Sequence, residues 1–184
     1  NCRACMVSVE GERVLTASCI RQPTEGMKVS TKDERSEKSR KMVLELLVTD
    51  QPVKEDSHDP DSHFWKIADE VKVNKSRFDK RENKEVPISD NSHVAMAVNL
   101  DACIQCNLCV RACREVQVND VIGMGNRGHT SKVIFDFNDP MGDSTCVSCG
   151  ECVQACPTGA LMESNLLNED GKKVSTPDRK VDSL

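Results

Sequence analysis

The sequence predicts an α+β chain whose core is completed by bound metal. Three observations carry that expectation. Eleven of the 184 residues are cysteine, against one Trp, four Phe and no Tyr, so side chains alone can build only a small core. Eight of the cysteines fall in two matching runs late in the chain. Between the cysteine groups lies a charge-dense stretch that reads as helix, flanked by short alternating segments that read as strands. The net charge of −5 and pI near 5.4 argue against a nucleic-acid partner. No run approaches the length of apolar residues needed to cross a bilayer, so no membrane span is expected. An odd number of clustered thiols suits metal ligation in a reduced, cytoplasmic setting better than a disulfide framework.

Residues 1–31 open with Cys2-x2-Cys5, followed by Cys19. Met6–Glu10 alternates as a strand, Gly11-Glu12 makes a turn, and Arg13–Ala17 can return as its partner. Three cysteines are one short of the four that a [2Fe–2S] rhomb takes, so a redox CxxC or half a zinc site stays open alongside it.

Residues 32–92 read as a helical, charged segment. Within 32–90 there are 15 acidic and 13 basic residues, and no Gly occurs from 27 to 122, which suits solvated helix rather than flexible linker. Thr31-x-x-Glu34 fits a capping box, and Met42, Val43, Leu46 and Leu47 form the expected buried stripe. Asp50-Gln51-Pro52 stops that helix. A second helix is expected from Asp61 or Ser62, burying Phe64, Trp65, Ala68 and Val71. His58, Asp59, Asp61 and His63 match no metal-ligand spacing, and a loop with helix-capping Asp is the expected reading. Residues 72–92 read as an irregular connector with a turn at Asp90-Asn91-Ser92.

Residues 93–166 carry the repeat. CIQCNLCVRAC (103–113) and CVSCGECVQAC (146–156) match at six of eleven positions, offset by 43 residues. Each is C-x2-C-x2-C-x3-C, the run that holds [4Fe–4S] clusters in bacterial ferredoxins. Three cysteines at steps of three wrap a loop and the first turn of a helix around one cube, and the fourth points off the helix toward the other. The expected sets are Cys103, Cys106, Cys109 and Cys156 on one cube, and Cys146, Cys149, Cys152 and Cys113 on the second. Zinc ribbons use two CxxC pairs, and eight cysteines in two such runs exceed that need. Pro157-Thr158-Gly159-Ala160-Leu161 ends the last helix. Gly123-x-Gly125-x-x-Gly128 is formally a dinucleotide fingerprint, but Lys132–Phe137 (KVIFDF) follows as a strand where a helix is required. These glycines are expected in turns of a β insertion. From Asn168 the tail reads as a polar linker, giving 167–184 as a final segment.

No nucleophile–base pair, paired catalytic carboxylates or P-loop is present, so no catalytic residue is assigned. The chemistry in view is electron storage and transfer, with burial and hydrogen bonds to sulfur tuning the potential.

On these residues the chain resembles the N-terminal iron–sulfur region of the α subunit of molybdenum- or tungsten-containing, NAD-dependent formate dehydrogenases. NCRACMVSVEGERVLTASC is similar to the end of that family's [2Fe–2S] domain. HVAMAVNLDACIQCNLCVRACREVQVNDVIGMG and STCVSCGECVQACPTGALM are similar to its two-cube ferredoxin domain. The resemblance covers essentially the whole chain. It implies Cys2, Cys5 and Cys19 on a [2Fe–2S] cluster, with a fourth ligand expected upstream of Asn1. It also implies a downstream pterin-bound metal that oxidises formate to CO2, and a flavin-containing diaphorase subunit that reduces NAD. The two cubes would pass electrons toward the [2Fe–2S] end. Many relatives add a cluster of one His and three Cys between the modules. Residues 20–102 contain no Cys, so that centre is not expected here. A stand-alone polyferredoxin carrier, or the related module of an iron-only hydrogenase or complex I subunit, is the alternative.

Overall fold

The computed structural model describes residues 2–80 and 86–174. Residues 81–85 of the expected connector and the tail from 175 lie outside them. The chain divides into two compact units: residues 1–50 with 67–83, and residues 51–66 with 84–184.

The first unit begins with strand β1 (Met6–Val9), which pairs antiparallel with β2 (Thr16–Ala17) on one side and β3 (Val29–Ser30) on the other. The expected hairpin forms, but only Thr16 and Ala17 of the return segment join the ladder. Val7, Val9 and Ala17 are buried, as alternate residues on a half-covered sheet should be. Helix α1 (Glu34–Asp50) packs on β1. Its start corrects the capping expectation. Asp33, not Thr31, is the cap: its carboxylate accepts from the Arg35 and Ser36 amides and from the Ser36 hydroxyl. The buried face is also turned from the expected one. Leu44 and Val48 are buried, Val43 and Leu47 are half-buried, and Met42 and Leu46 are exposed. The run MVLELLV is apolar on nearly every side, so its periodicity admits more than one stripe. The fully buried Ser36 shares the Leu44 and Val48 face, which a stripe drawn from apolar residues alone passes over.

Helix α2 (His63–Glu70) buries Phe64, Trp65 and Ala68 as expected. Val71 is only half-buried, and Val73 takes its place inside. Lys72 adopts a φ of +58°, and the Val73 amide then donates back to the Ala68 carbonyl (2.8 Å), turning Val73 inward.

The second unit is built from two half-repeats, each strand, cysteine loop, helix, strand. The first runs β4 (Met96–Val98), α3 (Leu108–Arg111), β5 (Ile122–Gly125). The second runs β6 (Lys132–Phe135), α4 (Glu151–Ala155), β7 (Leu161–Glu163). Each strand pairs with one from the other half, β4 with β7 and β5 with β6, both antiparallel. The shared core includes Met96, Ile122, Phe135 and Leu161 together with Cys109, Cys113 and Cys152. Thus the thiols are core residues here, filling space that aromatics fill elsewhere.

The β insertion forms, but two of its three glycines are strand residues and not turns. Gly123 and Gly125 lie within β5, and only Gly128 takes a positive φ. A Cβ on Gly125 would stand 2.7 Å from the Ile134 side chain across the ladder. The KVIFDF strand stops at Phe135, because Asp136 turns out at φ +46° and accepts from the Thr145 amide (2.6 Å). The Asp90-Asn91-Ser92 turn forms and serves as a clamp: Asp90 accepts from the Met141 amide (2.7 Å) and Ser92 Oγ from the Gly142 amide (2.8 Å). Partial burial raises the Asp90 carboxyl, but the Met141 amide and the Ser92 hydroxyl and amide that donate to it outweigh that and hold it below its usual range. As far as 174 the tail from Asn168 is tied back by hydrogen bonds. Leu167 bridges Lys173, and the Lys173 amide donates to the His58 carbonyl (2.7 Å).

The turned face of α1 makes a direct prediction. Leu44→Ala should cost about 2–5 kcal/mol in a urea unfolding series, whereas Leu46→Ala should stay within about 0.5 kcal/mol. The reverse ranking would show that the expected stripe is the packed one.

Candidate iron–sulfur centres

Each cysteine run folds by the same local device. Gln105 and Ser148, related by the repeat, take left-handed φ values of +53° and +59°, as do Asn107 (+66°) and Gly150 (+80°). This coils the chain so that the Gln105 amide donates to Cys103 Sγ and the Ser148 amide to Cys146 Sγ, both at 3.4 Å. Asn107 and Gly150 then start α3 and α4. The third cysteine of each run, Cys109 and Cys152, lies in the first helical turn and is buried. The fourth cysteines part company. Beyond α3 the chain winds on through a π-type turn, Ala112–Val116, which buries Cys113. After α4, Cys156 is extended and leads into Pro157.

Each fourth cysteine lies near thiols of the opposite run. Cys109 feels the charges of Cys156, Cys103 and Cys106, and Cys103 feels Cys156. Cys152 feels Cys146, Cys149 and Cys113. Cys103, Cys106, Cys109 and Cys156 also line one cavity, walled by apolar groups such as Leu100, Val133 and Leu161. Burial first, and then these neighbouring charges, push the Cys109 and Cys152 thiols up to about 12, and burial raises Cys103 as well. Thiols held this way need a cation's charge before they ionise at neutral pH. Among the described residues no three His, Cys, Asp or Glu side chains stand close enough to hold a single metal ion. Cys103, Cys106, Cys109 and Cys156 line a shared cavity, and a four-iron cube, whose corner ligands stand apart, fits such soft donors in an apolar wall.

The first group is also drawn together. Cys5 and Cys19 are hydrogen-bonded, and Cys19 feels the charge of Cys2. Donation to Cys5 raises the Cys19 thiol. Burial would raise Cys5 too, but the bonds from Cys19 and Ser18 outweigh it and bring that thiol below its ordinary value.

Among the described residues His58, Asp59, Asp61 and His63 do not form a ligand cluster. Asp59 is buried and paired with Lys173 (2.9 Å), while Asp61 and His63 are exposed. His58 is buried with Nε2 on the Gly159 carbonyl and Nδ1 beside Asn99 Nδ2 (3.2 Å). Gln51 donates to the Ala102 carbonyl (3.2 Å), and the Phe64 amide to the Pro157 carbonyl (2.8 Å). Segment 51–66 thereby ties down the residue before Cys103 and the residue after Cys156. Sequence spacing gives no signal for this, since the partners of Gln51 and His58 are 51 and 101 residues away.

Comparison with known proteins agrees with this geometry. A 2Fe-2S iron-sulfur cluster binding domain matches residues 1–34, and a 4Fe-4S dicluster domain matches residues 102–160. The chain is 33% identical to the NADP-reducing hydrogenase subunit HndD of Solidesulfovibrio fructosivorans, over 98% of this chain and 31% of that protein. It is 28% identical to a putative formate dehydrogenase of Staphylococcus haemolyticus, over 95% of this chain and 18% of that protein. It is 32% identical to an NADH-quinone oxidoreductase subunit of Rhizobium meliloti, over 88% of this chain and 19% of that protein. The chain therefore spans a third or less of these relatives. A crystal structure of an NAD+-reducing [NiFe]-hydrogenase in the H2-reduced state contains a chain with the same fold. Its TM-score is 0.75 at 25% identity, over 94% of this chain and 74% of that one. Among the described residues no helix is long and apolar enough to cross a membrane. The chain carries 2Fe-2S and 4Fe-4S cluster domains and has homologues among hydrogenases, formate dehydrogenases and NADH-quinone oxidoreductase subunits, which marks it as an iron–sulfur electron-transfer module.

Proposed function

We propose that Cys103, Cys106, Cys109 and Cys156 hold one [4Fe–4S] cube, and that Cys146, Cys149, Cys152 and Cys113 hold the second. Cys2, Cys5 and Cys19 supply three ligands of a [2Fe–2S] cluster. The observation that carries this is the place of each fourth cysteine: Cys156 shares a cavity with Cys103, Cys106 and Cys109, and Cys113 is electrostatically coupled to Cys152. When bound, such clusters supply one-electron storage and transfer. The protein's own part is to present soft donors, exclude water with an apolar wall, and direct the Gln105 and Ser148 amides at sulfur.

In this reading 1–31 belongs to the [2Fe–2S] domain, 32–92 is a helical spacer, 93–166 the two-cube domain and 167–184 a linker. The parent is an NAD-dependent formate dehydrogenase working in the cytoplasm. A molybdenum or tungsten pterin site oxidises formate, and a flavin-containing diaphorase partner reduces NAD. The sequence resemblance supports it, as do formate dehydrogenase relatives aligned over 95% of the chain. The Cys-free stretch from 20 to 102 favours it over parents with a His-plus-three-Cys centre. A hydrogenase parent is the second reading, favoured by the 33% identity to the NADP-reducing hydrogenase subunit.

Three experiments follow. Iron and sulfide analysis of the anaerobically prepared chain should give two cubes by EPR, and one or two zincs in their place would overturn the assignment. Cys113→Ala should abolish the cube of Cys146, Cys149 and Cys152; loss of the cube of Cys113's own run would show that the wiring is not crossed. In the full-length native protein, formate should reduce a viologen dye and hydrogen should not, with the opposite result selecting the hydrogenase parent.

Thiol chemistry supplies a pH prediction. Iodoacetamide attacks thiolate, so in the metal-free chain at pH 8 the exposed Cys149 should be alkylated well before Cys109 and Cys152, whose pKa is about 12. Raising the pH toward 11 increases their thiolate fraction and should narrow the gap. Peptide mass mapping that finds equal rates at pH 8 would contradict the burial of these two thiols.

A further inference from the structure

We propose that His93 is a positioning residue for the second cube, holding Ser148 so that its amide stays aimed at Cys146. This rests on the assignment of Cys146 as a cluster ligand. Ser148 occupies the left-handed region at φ +59°, a conformation that a non-glycine residue keeps only when its surroundings hold it there. Its amide N–H points at Cys146 Sγ from 3.4 Å. Its hydroxyl lies 3.0 Å from His93 Nε2. His93 is buried, and its Nδ1 accepts the Ala95 amide (3.1 Å). An accepting Nδ1 leaves the proton of a neutral ring on Nε2, so Nε2–H donates to Ser148 Oγ. The ring is thus fixed at one nitrogen by the backbone and fixes the cluster loop with the other.

The internal repeat explains why a histidine is needed. Gln105 is the counterpart of Ser148 in the first run, with the same left-handed φ and the same amide-to-sulfur bond. Its side chain is long enough to tether itself, and Nε2 donates to the Ser131 carbonyl at 2.6 Å. The serine side chain is short, so the second loop relies on a residue 55 positions earlier in the chain. Gln105 and Ser148 are different residues serving one geometric requirement, which argues that the requirement is the N–H···S bond.

An N–H directed at a ligand sulfur stabilises the more negative, reduced state over the oxidised one. Release of Ser148 lets its backbone relax out of the left-handed region and turn the N–H away. The second cube should then become harder to reduce, and the first should not change.

The test uses the full chain with its clusters loaded anaerobically, and a dithionite titration followed by EPR. Ser148→Ala keeps the amide, removes only the tethered hydroxyl at an exposed position, and so leaves the fold intact. His93→Phe removes the tether from the other side. Each should lower one of the two cube midpoints by about tenfold in the reduction equilibrium, which is ~59 mV for a one-electron couple. The double variant should fall no further than either single, since both remove one interaction. His93→Gln, which keeps a donor, should recover part of the loss. Two intact cubes with unmoved midpoints in both single variants would overturn the positioning role. Equal movement of both cubes would overturn it too, by showing general loosening. A wild-type chain without two cubes would overturn the ligand assignment and the inference with it.

Discussion

The arrangement of the second unit turns on one constraint: each fourth cysteine lies near thiols of the other run, Cys156 beside Cys103, Cys106 and Cys109, and Cys113 near Cys152. A run of C-x2-C-x2-C-x3-C curls its first three thiols around one centre, and the helix that begins at the third carries the fourth away. Cys156 therefore reaches Cys103, Cys106 and Cys109 only if α3 and α4 lie side by side, which they do. The strands obey the same exchange, with β4 on β7 and β5 on β6, so no half-repeat closes its own ladder. Neither half can be complete alone. A metal-dependent contribution to stability is the natural consequence, because the buried thiols favour their protonated form until a cation offsets the charge.

Much of this is legible in the sequence because it is local. The cysteine loops, the hairpin at Met6, the stop at Pro52 and the KVIFDF strand each follow from residues within a few positions of one another. The features that spacing misses share a different origin. The α1 stripe is ambiguous because Met42 to Val48 is apolar on almost every side, and only packing on β1 selects Leu44 and Val48. Asp33 outcompetes Thr31 as cap because its carboxylate can take two amides and the Ser36 hydroxyl together. Gly125 has the look of a turn residue, but its reason is the Ile134 side chain opposite, a cross-strand fact. His58 and Asp59 look like a local pair, yet their partners are Gly159, Asn99 and Lys173, far along the chain.

The two cysteine loops are alike in backbone and unlike in surroundings. Segment 51–66 is bound just before the first, through Gln51 on Ala102, and just after the second, through Phe64 on Pro157. The second has an exposed Cys149 and is tethered through His93. Burial and hydrogen bonding are the levers that set cluster potential. A duplicated motif thus sits in two environments.

Crystallography of the cluster-loaded chain with anomalous scattering at the iron edge tests the crossed ligation. Two four-iron sites are expected, one ligated by Cys103, Cys106, Cys109 and Cys156 and the other by Cys146, Cys149, Cys152 and Cys113. Two sites each ligated wholly within one run, or a single metal ion bound by two CxxC pairs, would contradict it.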